Sequence, residues 1–268
     1  MDSLRNVDLA ELKRIQLKIL DAVSEYCENT SIKYWLDNGT LLGAIRHNGY
    51  IPWDDDIDIG MLRPDFDRFI QTFNDSQKRY RVHCIDNDPD FYYAFAKVLD
   101  TQTVLYEPDE NGMKLSVNID IFVYDNAPDD SKLLNKAYNL RDFYQNANLL
   151  RNLNNEPSGG FLRKCVIKTI RLSLRLFPKD YFIKKMVENA KKYNGTVKNR
   201  VGNFTSYSRI YCDKSLLKSC VDHIFEGKSY KIPVGYDQWL RAFYGDYMQL
   251  PPPEKRVSHH RFIAYINE

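Results

Sequence analysis

The sequence predicts an α+β fold, a mixed β-sheet flanked by helices, with a helical C-terminal half. Short segments rich in β-branched and aromatic residues concentrate before residue 130, and long segments of helical periodicity concentrate after it. We therefore expect a core over residues 1–130 and a helical, partly basic region over residues 131–268 whose last segment returns to the core.

The first predicted element is a helix over residues 8–28. Asp8 is placed to cap it, and Glu11 follows three positions later, as in a capping box. Apolar residues at helical spacing predict one buried face, made of Leu12, Ile15, Ile19, Val23 and Tyr26.

Short strands and helices alternate through the rest of the core. A turn at residues 37–40 separates the first strand from a short helix, and Pro64 suits the first turn of the next helix. The predicted strands are 32–36, 51–61, 80–85, 92–99, 103–106 and 117–123, and the predicted helices are 41–46 and 64–73.

The second half is mainly helical. Helical patterns cover residues 131–153 and 161–194, with a polar break at 154–160 and a split near Pro178. Short strands and loops are expected after residue 195, followed by a helix near 236–243.

Composition and charge exclude several classes of protein. The net charge of +2 does not suit a general nucleic-acid-binding surface, so we expect no nucleic-acid partner. The N-terminal segment lacks the apolar region of a secretory signal, and no apolar run approaches the ~20 residues that cross a bilayer. We expect the protein in the cytoplasm, or held peripherally on the inner face of the cytoplasmic membrane.

Cysteine usage agrees with a reducing compartment. The five cysteines are odd in number and form no C-x-x-C pair, which indicates free thiols. The spacing of Cys212, Cys220 and His223 matches no common zinc pattern, and it leaves a zinc site open.

The most informative segment reads I-P-W-D-D-D-I-D-I-G, at residues 51–60. In a strand, Asp54, Asp56 and Asp58 would share one face, and the isoleucines would face the core. Like charges in a row repel, and Mg²⁺ with oxygen ligands would relieve that repulsion. A solvated acidic turn explains the first two acids equally well, whereas the later Asp–Ile alternation indicates a strand. We therefore predict metal binding at Asp56 and Asp58.

Two other segments fit a phosphate-handling site. Gly39 and Thr40 precede a predicted helix, where a glycine lets the backbone approach a phosphate and the helix N-terminus attracts anions. Asp120 lies between branched apolar residues on a strand that could neighbour the acidic one. It would serve there as a third metal ligand or as a general base toward a hydroxyl, and the structural alternative is an acid on an edge strand.

Three segments together resemble the LicD family. They are L-D-N-G-T-L-L-G-A-I-R-H-N-G-Y-I-P-W-D-D-D-I-D-I-G at 36–60, N-I-D-I-F at 118–122 and Y-G-D-Y-M-Q-L-P-P-P-E-K-R-V-S-H-H at 244–260. The resemblance spans roughly residues 8–260 and is weak over about 131–200. It implies a phosphotransferase of the nucleotidyltransferase fold. Bacterial members move phosphocholine from CDP-choline onto cell-surface glycans, and fukutin-like relatives transfer ribitol phosphate.

The resemblance also implies roles for particular residues. Asp56, Asp58 and Asp120 would hold Mg²⁺, with Mn²⁺ as the alternative ion. Gly39 and Thr40 stand where the fold usually has a Gly-Ser pair. The donor would be a CDP-alcohol, CDP-choline first of all, and the acceptor a hydroxyl of a glycan or lipid-linked glycan of lipopolysaccharide, teichoic acid or capsule. An NTP-dependent nucleotidyltransferase that releases pyrophosphate is the alternative reaction, and a non-catalytic glycan-binding protein is the alternative class.

Further cations are candidates for substrate contact. Arg46 follows the Gly39–Thr40 pair within the same helix, Lys97 interrupts an apolar strand, and His259 lies in the aromatic and cationic C-terminal segment. Ordinary surface ion pairs or packing would explain each of them as well.

The segment 161–177 has the pattern of a basic amphipathic helix. Its predicted cationic stripe consists of Lys164, Lys168, Arg171 and Arg175, and its predicted apolar flanks are Phe161, Ile167, Ile170, Leu174 and Phe177. Such a helix suits peripheral contact with anionic lipid, or packing on its own domain.

Overall fold

The computed structural model describes residues 4–76, 78–107, 113–153, 157–257 and 263–267. It confirms the α+β class. The described α-helices are α1 (Leu9–Thr30), α2 (Asn38–His47), α3 (Arg63–Ser76), α4 (Ser131–Asn152), α5 (Phe161–Leu174), α6 (Tyr181–Lys191) and α7 (Tyr236–Tyr244). Short 3₁₀ turns cover Lys214–Leu217 and Pro253–Lys255.

The strands form a central mixed sheet and two smaller sheets. They are β1 (Leu4–Val7), β2 (Trp35–Leu36), β3 (Asp58–Leu62), β4 (Tyr80–His83), β5 (Ala96–Asp100), β6 (Thr103–Glu107), β7 (Met113–Leu115), β8 (Asn118–Ala127), β9 (Arg200–Asn203), β10 (Ile210–Asp213), β11 (Cys220–Phe225), β12 (Lys228–Pro233) and β13 (Ile263–Asn267). The central sheet runs β10–β9–β8–β3–β2, with β5 paired to β8 and β4 paired to β5. Among the described strand pairs, β3 and β8 run parallel and the others antiparallel.

Helix α1 forms as its sequence predicts. The Asp8 side chain accepts the N–H of Glu11 at 2.8 Å and so satisfies one of the unpaired donors of the first turn. The predicted apolar face packs against β8 and β5, and four of its five residues are buried: Leu12, Ile15, Ile19 and Val23. Two polar residues, Gln16 and Ser24, are buried on the same helix.

The acidic segment is a strand only from Asp58 onward, so the prediction that Asp54, Asp56 and Asp58 share one strand face is wrong. Residues 51–57 form a loop that opens with a turn in which Asp54 N–H donates to the carbonyl of Ile51 at 2.9 Å. Pro52 has no N–H for a sheet ladder, and the neighbouring strand β2 is only two residues long. The first two acids of the alternation therefore precede the sheet.

Other predicted boundaries also differ from the observed ones. The strand predicted at 32–36 shortens to β2, and the strand predicted at 92–99 begins only at Ala96. Helix α2 begins at Asn38, three residues before the predicted start. The division at residue 130 stays a prediction.

Strand β13 and the β11–β12 hairpin are two of the C-terminal elements that pack onto the core. Strand β13 pairs with β1 and β6, which joins the two ends of the described chain. The β11–β12 hairpin contacts the segment before the acidic loop. There Glu226 N–H donates to the carbonyl of Asn48 at 2.9 Å, and Glu226 Oε1 accepts the N–H of Tyr50 at 3.0 Å.

Helix α5 differs from its predicted orientation. No residue of α5 is buried, and its half-buried edge consists of Lys164, Ile167, Arg171 and Leu174. Two predicted members of an outer cationic stripe therefore face the protein body. Apolar residues occur on every side of this segment, so periodicity alone did not decide which side would pack. Within the described part of the chain, none of the helices combines the length and apolar character needed to cross a bilayer.

Candidate active site

The centre of the candidate site is a row of charged side chains across the central sheet. The register places Asp58 of β3 opposite Asp120 of β8, and Asp120 opposite Lys97 of β5. The Lys97 ammonium lies 2.6 Å from Asp120 Oδ1 and 3.1 Å from the side-chain oxygen of Asn118. The sequence predicted that Asp120 would lie on a strand beside the acidic one, and this adjacency is observed. Lys97 fixes the position of the Asp120 carboxylate.

Buried groups hold Asp58 in place. Its N–H donates to Thr40 Oγ1 at 2.8 Å, and its carbonyl accepts the N–H of Asp37 at 2.9 Å. Burial, and then the charges of Asp56 and Asp120, raise the pKa of Asp58 well above its ordinary value. A bound cation would reverse that shift, because it favours the ionised carboxylate.

The loop ahead of β3 gathers three carboxylates. One ligand oxygen from each of Asp54, Asp55 and Asp56 lies within 4.8 Å of the other two. Buried Gln16 donates to the carbonyl of Asp55 at 2.9 Å and accepts the hydroxyl of Tyr50 at 3.1 Å. Helix α1 therefore supports the backbone of the acidic loop.

The first turn of α2 lies against this loop. Asn38 and Gly39 line the cleft in front of the acids. A Cβ atom at Gly39 would lie 2.8 Å from Asp54 Oδ2, inside van der Waals contact. Glycine at this position therefore permits the close approach of Asp54.

These groups line one cleft of about 760 Å³. Its floor carries Asp58, Asp120 and Lys97, and one side is the acidic loop. Residues from both halves of the chain supply its aromatic wall: Tyr93, Phe95, Phe122, Tyr207, Trp239, Phe243 and Tyr244. The cleft therefore joins a polar, acidic end to an aromatic surface.

The part of the cleft lining after residue 200 includes residues 206–208 and, on α7, Trp239, Phe243 and Tyr244, and is called the C-terminal wall. A residue of α4 supports this wall. Arg141 is 1% exposed, and its guanidinium donates to the carbonyls of Ser206 and Ser208, the second at 2.9 Å. Asn203 Oδ1 accepts the N–H groups of Thr205 and Ser206. These bonds fix the loop whose residues 206–208 line the cleft.

Other residues singled out from the sequence lie in different places. Thr40 is buried beneath Asp58 and does not line the cleft, while Arg46 donates to the carbonyl of Tyr247 at 2.8 Å, also outside the lining. His259 lies outside the described residues. Among the described residues, Cys212, Cys220 and His223 form no metal-ligand cluster, and His223 lies 3.1 Å from the carbonyl of Ala44.

The donor set fits a hard divalent cation. All the candidate ligands are carboxylate oxygens, which Mg²⁺ prefers. They are crowded, and burial together with the charges of Asp56 and Asp120 raises the pKa of Asp58.

Comparisons with known proteins identify the family of this chain. The family model described as LicD/FKTN/FKRP, nucleotidyltransferase domain, matches residues 31–161. The lipopolysaccharide cholinephosphotransferase LicD of Haemophilus influenzae is 31% identical over 274 residues, which cover 98% of this chain and 100% of that protein. The chain belongs to the LicD family. The ribitol 5-phosphate transferase FKRP of human and mouse is 50% identical over 38 residues, 14% of this chain and 8% of FKRP.

Both named activities transfer a substituted phosphate group, and this LicD-family chain is a phosphotransferase. The matched domain, residues 31–161, contains the acidic loop, the α2 turn, Lys97 and Asp120. The C-terminal wall of the cleft lies outside it. The similarity to the Haemophilus protein, which covers 98% of this chain, extends over that wall.

Sequence reasoning missed several residues that shape the site. Gln16 carried a signal, since it is a polar residue on the apolar face of a regular amphipathic helix. Arg141 and the loop at 204–209 carried no such signal, because their bonds to each other join residues more than 60 positions apart.

Proposed function

We propose that this protein is a Mg²⁺-dependent phosphotransferase that moves phosphocholine, or a similar alcohol phosphate, from a CDP-linked donor to a hydroxyl of a cell-surface glycan precursor. The precursor would belong to lipopolysaccharide, teichoic acid or capsule, and the reaction would take place in the cytoplasm or at the inner face of the cytoplasmic membrane. Full-length similarity to a lipopolysaccharide cholinephosphotransferase supports the substrate class.

One observation carries the proposal. The acids and an aromatic wall line the same cleft. Carboxylates with Mg²⁺ suit a diphosphate, and aromatic ring faces attract a quaternary ammonium group such as that of choline. Among the aromatic residues near the acidic loop and ahead of β5, Tyr93 lines the cleft, whereas Trp53 and Tyr92 do not.

Different residues of the cleft would have different roles in the transfer. Asp56 and Asp58 would hold Mg²⁺, which when bound would neutralise charge on the diphosphate oxygens. The α2 turn at Asn38 and Gly39 would receive a phosphate group. Asp120, oriented by Lys97, would accept the proton of the acceptor hydroxyl as its oxygen attacks the phosphorus that bears the alcohol. The bond from that phosphorus to the bridging oxygen breaks, and CMP leaves.

The decisive experiment identifies the leaving group. Purified protein with Mg²⁺ is given CDP-choline, CDP-ribitol, CDP-glycerol or an NTP, with and without a glycan acceptor. We expect CMP release from a CDP-alcohol that rises with acceptor. Pyrophosphate release from an NTP would instead favour nucleotidyl transfer, and no turnover with any donor would contradict both reactions.

A variant of Asp120 tests its role. In Asp120→Asn we expect transfer to fall by roughly 10²–10⁴, the usual effect of losing a positioned base, while CDP-donor affinity changes little. Equal losses of metal affinity, donor affinity and rate would make Asp120 chiefly a ligand. An unchanged rate would remove it from the site. Asp75→Asn, an exposed acid at the end of α3, is the matched control.

A further inference from the structure

Helix α5 presents an exposed apolar surface. Its most exposed apolar residues are Phe161 (80%), Leu162 (79%), Val166 (58%), Leu172 (68%) and, just past the helix end, Leu176 (84%). Leu162 and Val166 are separated by four positions, so they project on the same side of the helix, and the exposed Leu176 follows the helix end. Soluble proteins seldom leave such a continuous apolar face uncovered.

Cations border this face. The segment 161–179 contains no acidic residue and six basic ones: Arg163, Lys164, Lys168, Arg171, Arg175 and Lys179. At 100° per residue, Lys168 and Arg175 lie between the apolar face and the edge packed beside α4. Long cationic side chains at that border reach outward while their stems cover apolar surface.

We propose that α5 docks on the surface of a bilayer that contains anionic lipid. The apolar face would enter the boundary between headgroups and acyl chains, and the bordering cations would contact lipid phosphates. At about 1.5 Å per residue the helix is about 21 Å long, shorter than the ~30 Å hydrocarbon core, so it lies in the interface plane.

Charge selects lipid over a second copy of this chain. Two identical α5 faces brought together would place two segments of the same positive charge side by side. An anionic lipid surface complements both the apolar face and its border. The inference does not depend on the reaction that the protein catalyses.

The first test is co-sedimentation of the full chain with vesicles. We expect binding to mixed phosphatidylcholine–phosphatidylglycerol vesicles, weaker binding to pure phosphatidylcholine vesicles, and release as salt is raised. The double variants Leu162→Gln/Leu176→Gln and Lys168→Gln/Arg175→Gln should each weaken binding by about 10-fold or more. The double variant Val197→Gln/Lys78→Gln removes an exposed apolar residue and an exposed cation elsewhere and should bind like the natural protein.

A second measurement locates the contact. Cys165 is exposed on α5, whereas the other cysteines are buried or, for Cys220, half-buried. An environment-sensitive fluorophore on Cys165, in a Cys220→Ser background, should shift to shorter wavelength with the mixed vesicles.

Three results would overturn the proposal: no binding to the mixed vesicles, binding that both α5 variants leave unchanged, or lipid-independent dimers that the leucine variant dissolves. Because all four altered α5 residues are exposed, unfolding curves should match among the variants. The vesicle assay uses no substrate, so its failure would leave the proposed transfer reaction intact.

Discussion

At the scale of single residues, the site depends on buried charge. Asp58 is ionisable, buried and close to Asp56 and Asp120, so the metal-free folded state favours its protonated form. Its carboxylate is therefore placed for binding a cation at some expense of stability in the cation's absence.

The burial of Asp58 beside two other acids predicts that the stability of the metal-free protein depends on pH. Because the pKa of Asp58 is raised in the folded state, the contribution of this one group to the stability of the metal-free protein is full below about pH 3.9, the ordinary pKa of Asp in the unfolded chain, and is lost as pH rises through the folded-state pKa. Asp58→Asn should remove that loss and raise the free energy of unfolding at neutral pH. Denaturant unfolding in chelator across pH measures it, with Asp75→Asn as control. Parallel curves for Asp58→Asn and the natural protein would contradict the assignment.

Replacement of Gly39 should affect stability and activity differently. In Gly39→Ala the new Cβ would displace the Asp54 carboxylate, and we expect metal affinity or transfer rate to fall about 10–100-fold, as for residues that support metal ligands. The unfolding free energy should stay level or rise by up to ~1 kcal/mol, because alanine favours the helix. Gly195→Ala, whose Cβ would meet nothing within 4 Å, is the control. Natural activity in Gly39→Ala would show that the approach of Asp54 has no functional role.

At the scale of elements, a helix and a hairpin position the acidic loop, residues 51–57, which has no strand pairing of its own. The acidic loop is held by α1 through Gln16, and the segment before it is held by the β11–β12 turn through Glu226. Regular elements thus fix the backbone of an irregular segment that carries three carboxylates.

Gln16 tests this support. Gln16→Met keeps length but removes the donor to the carbonyls of Asp55 and Asn118, so the unfolding free energy should fall by about 1–3 kcal/mol. Transfer rate should fall as well, because the acidic loop loses its anchor. Gln71→Met, exposed on α3, should change neither quantity. A destabilised variant with natural transfer rate would limit Gln16 to a structural role.

At the scale of the whole molecule, the cleft is completed by distant parts of the chain. The matched family domain supplies the acids, and residues 206–208 with α7 supply the opposing wall. Arg141 connects them, since it extends from α4 to the loop that carries this wall.

Arg141→Lys keeps the charge but loses the planar guanidinium, whose Nη1 donates to both carbonyls while its Nε donates to Asp142. We expect a loss of about 1–3 kcal/mol in unfolding free energy and faster amide exchange in residues 204–209, with a raised KM for the acceptor or donor. Hydrogen exchange and steady-state kinetics measure these effects. Arg68→Lys, on the exposed side of α3, is the matched control. If amide exchange in residues 204–209 were unchanged from the natural protein, Arg141 would not stabilise the cleft wall.

The sequence by itself determined the α+β class, the amphipathic α1 with its Asp8 cap, and the family motif that contains the acids. These depend on local periodicity, capping and residue order, all of which are written along the chain. It also predicted that Asp120 would neighbour the acidic strand, because both segments carry an acid among branched apolar residues.

Only the tertiary structure decided where the strand begins, which face of α5 is exposed and which residues close the cleft. The two-residue strand β2 limits the ladder, so Asp54 and Asp56 lie in a loop. The neighbour α4, not the pattern of α5, selects the buried edge of α5. Gln16, Lys97 and Arg141 acquire their roles from partners between 21 and 102 positions away, a relation that periodicity along the chain does not encode.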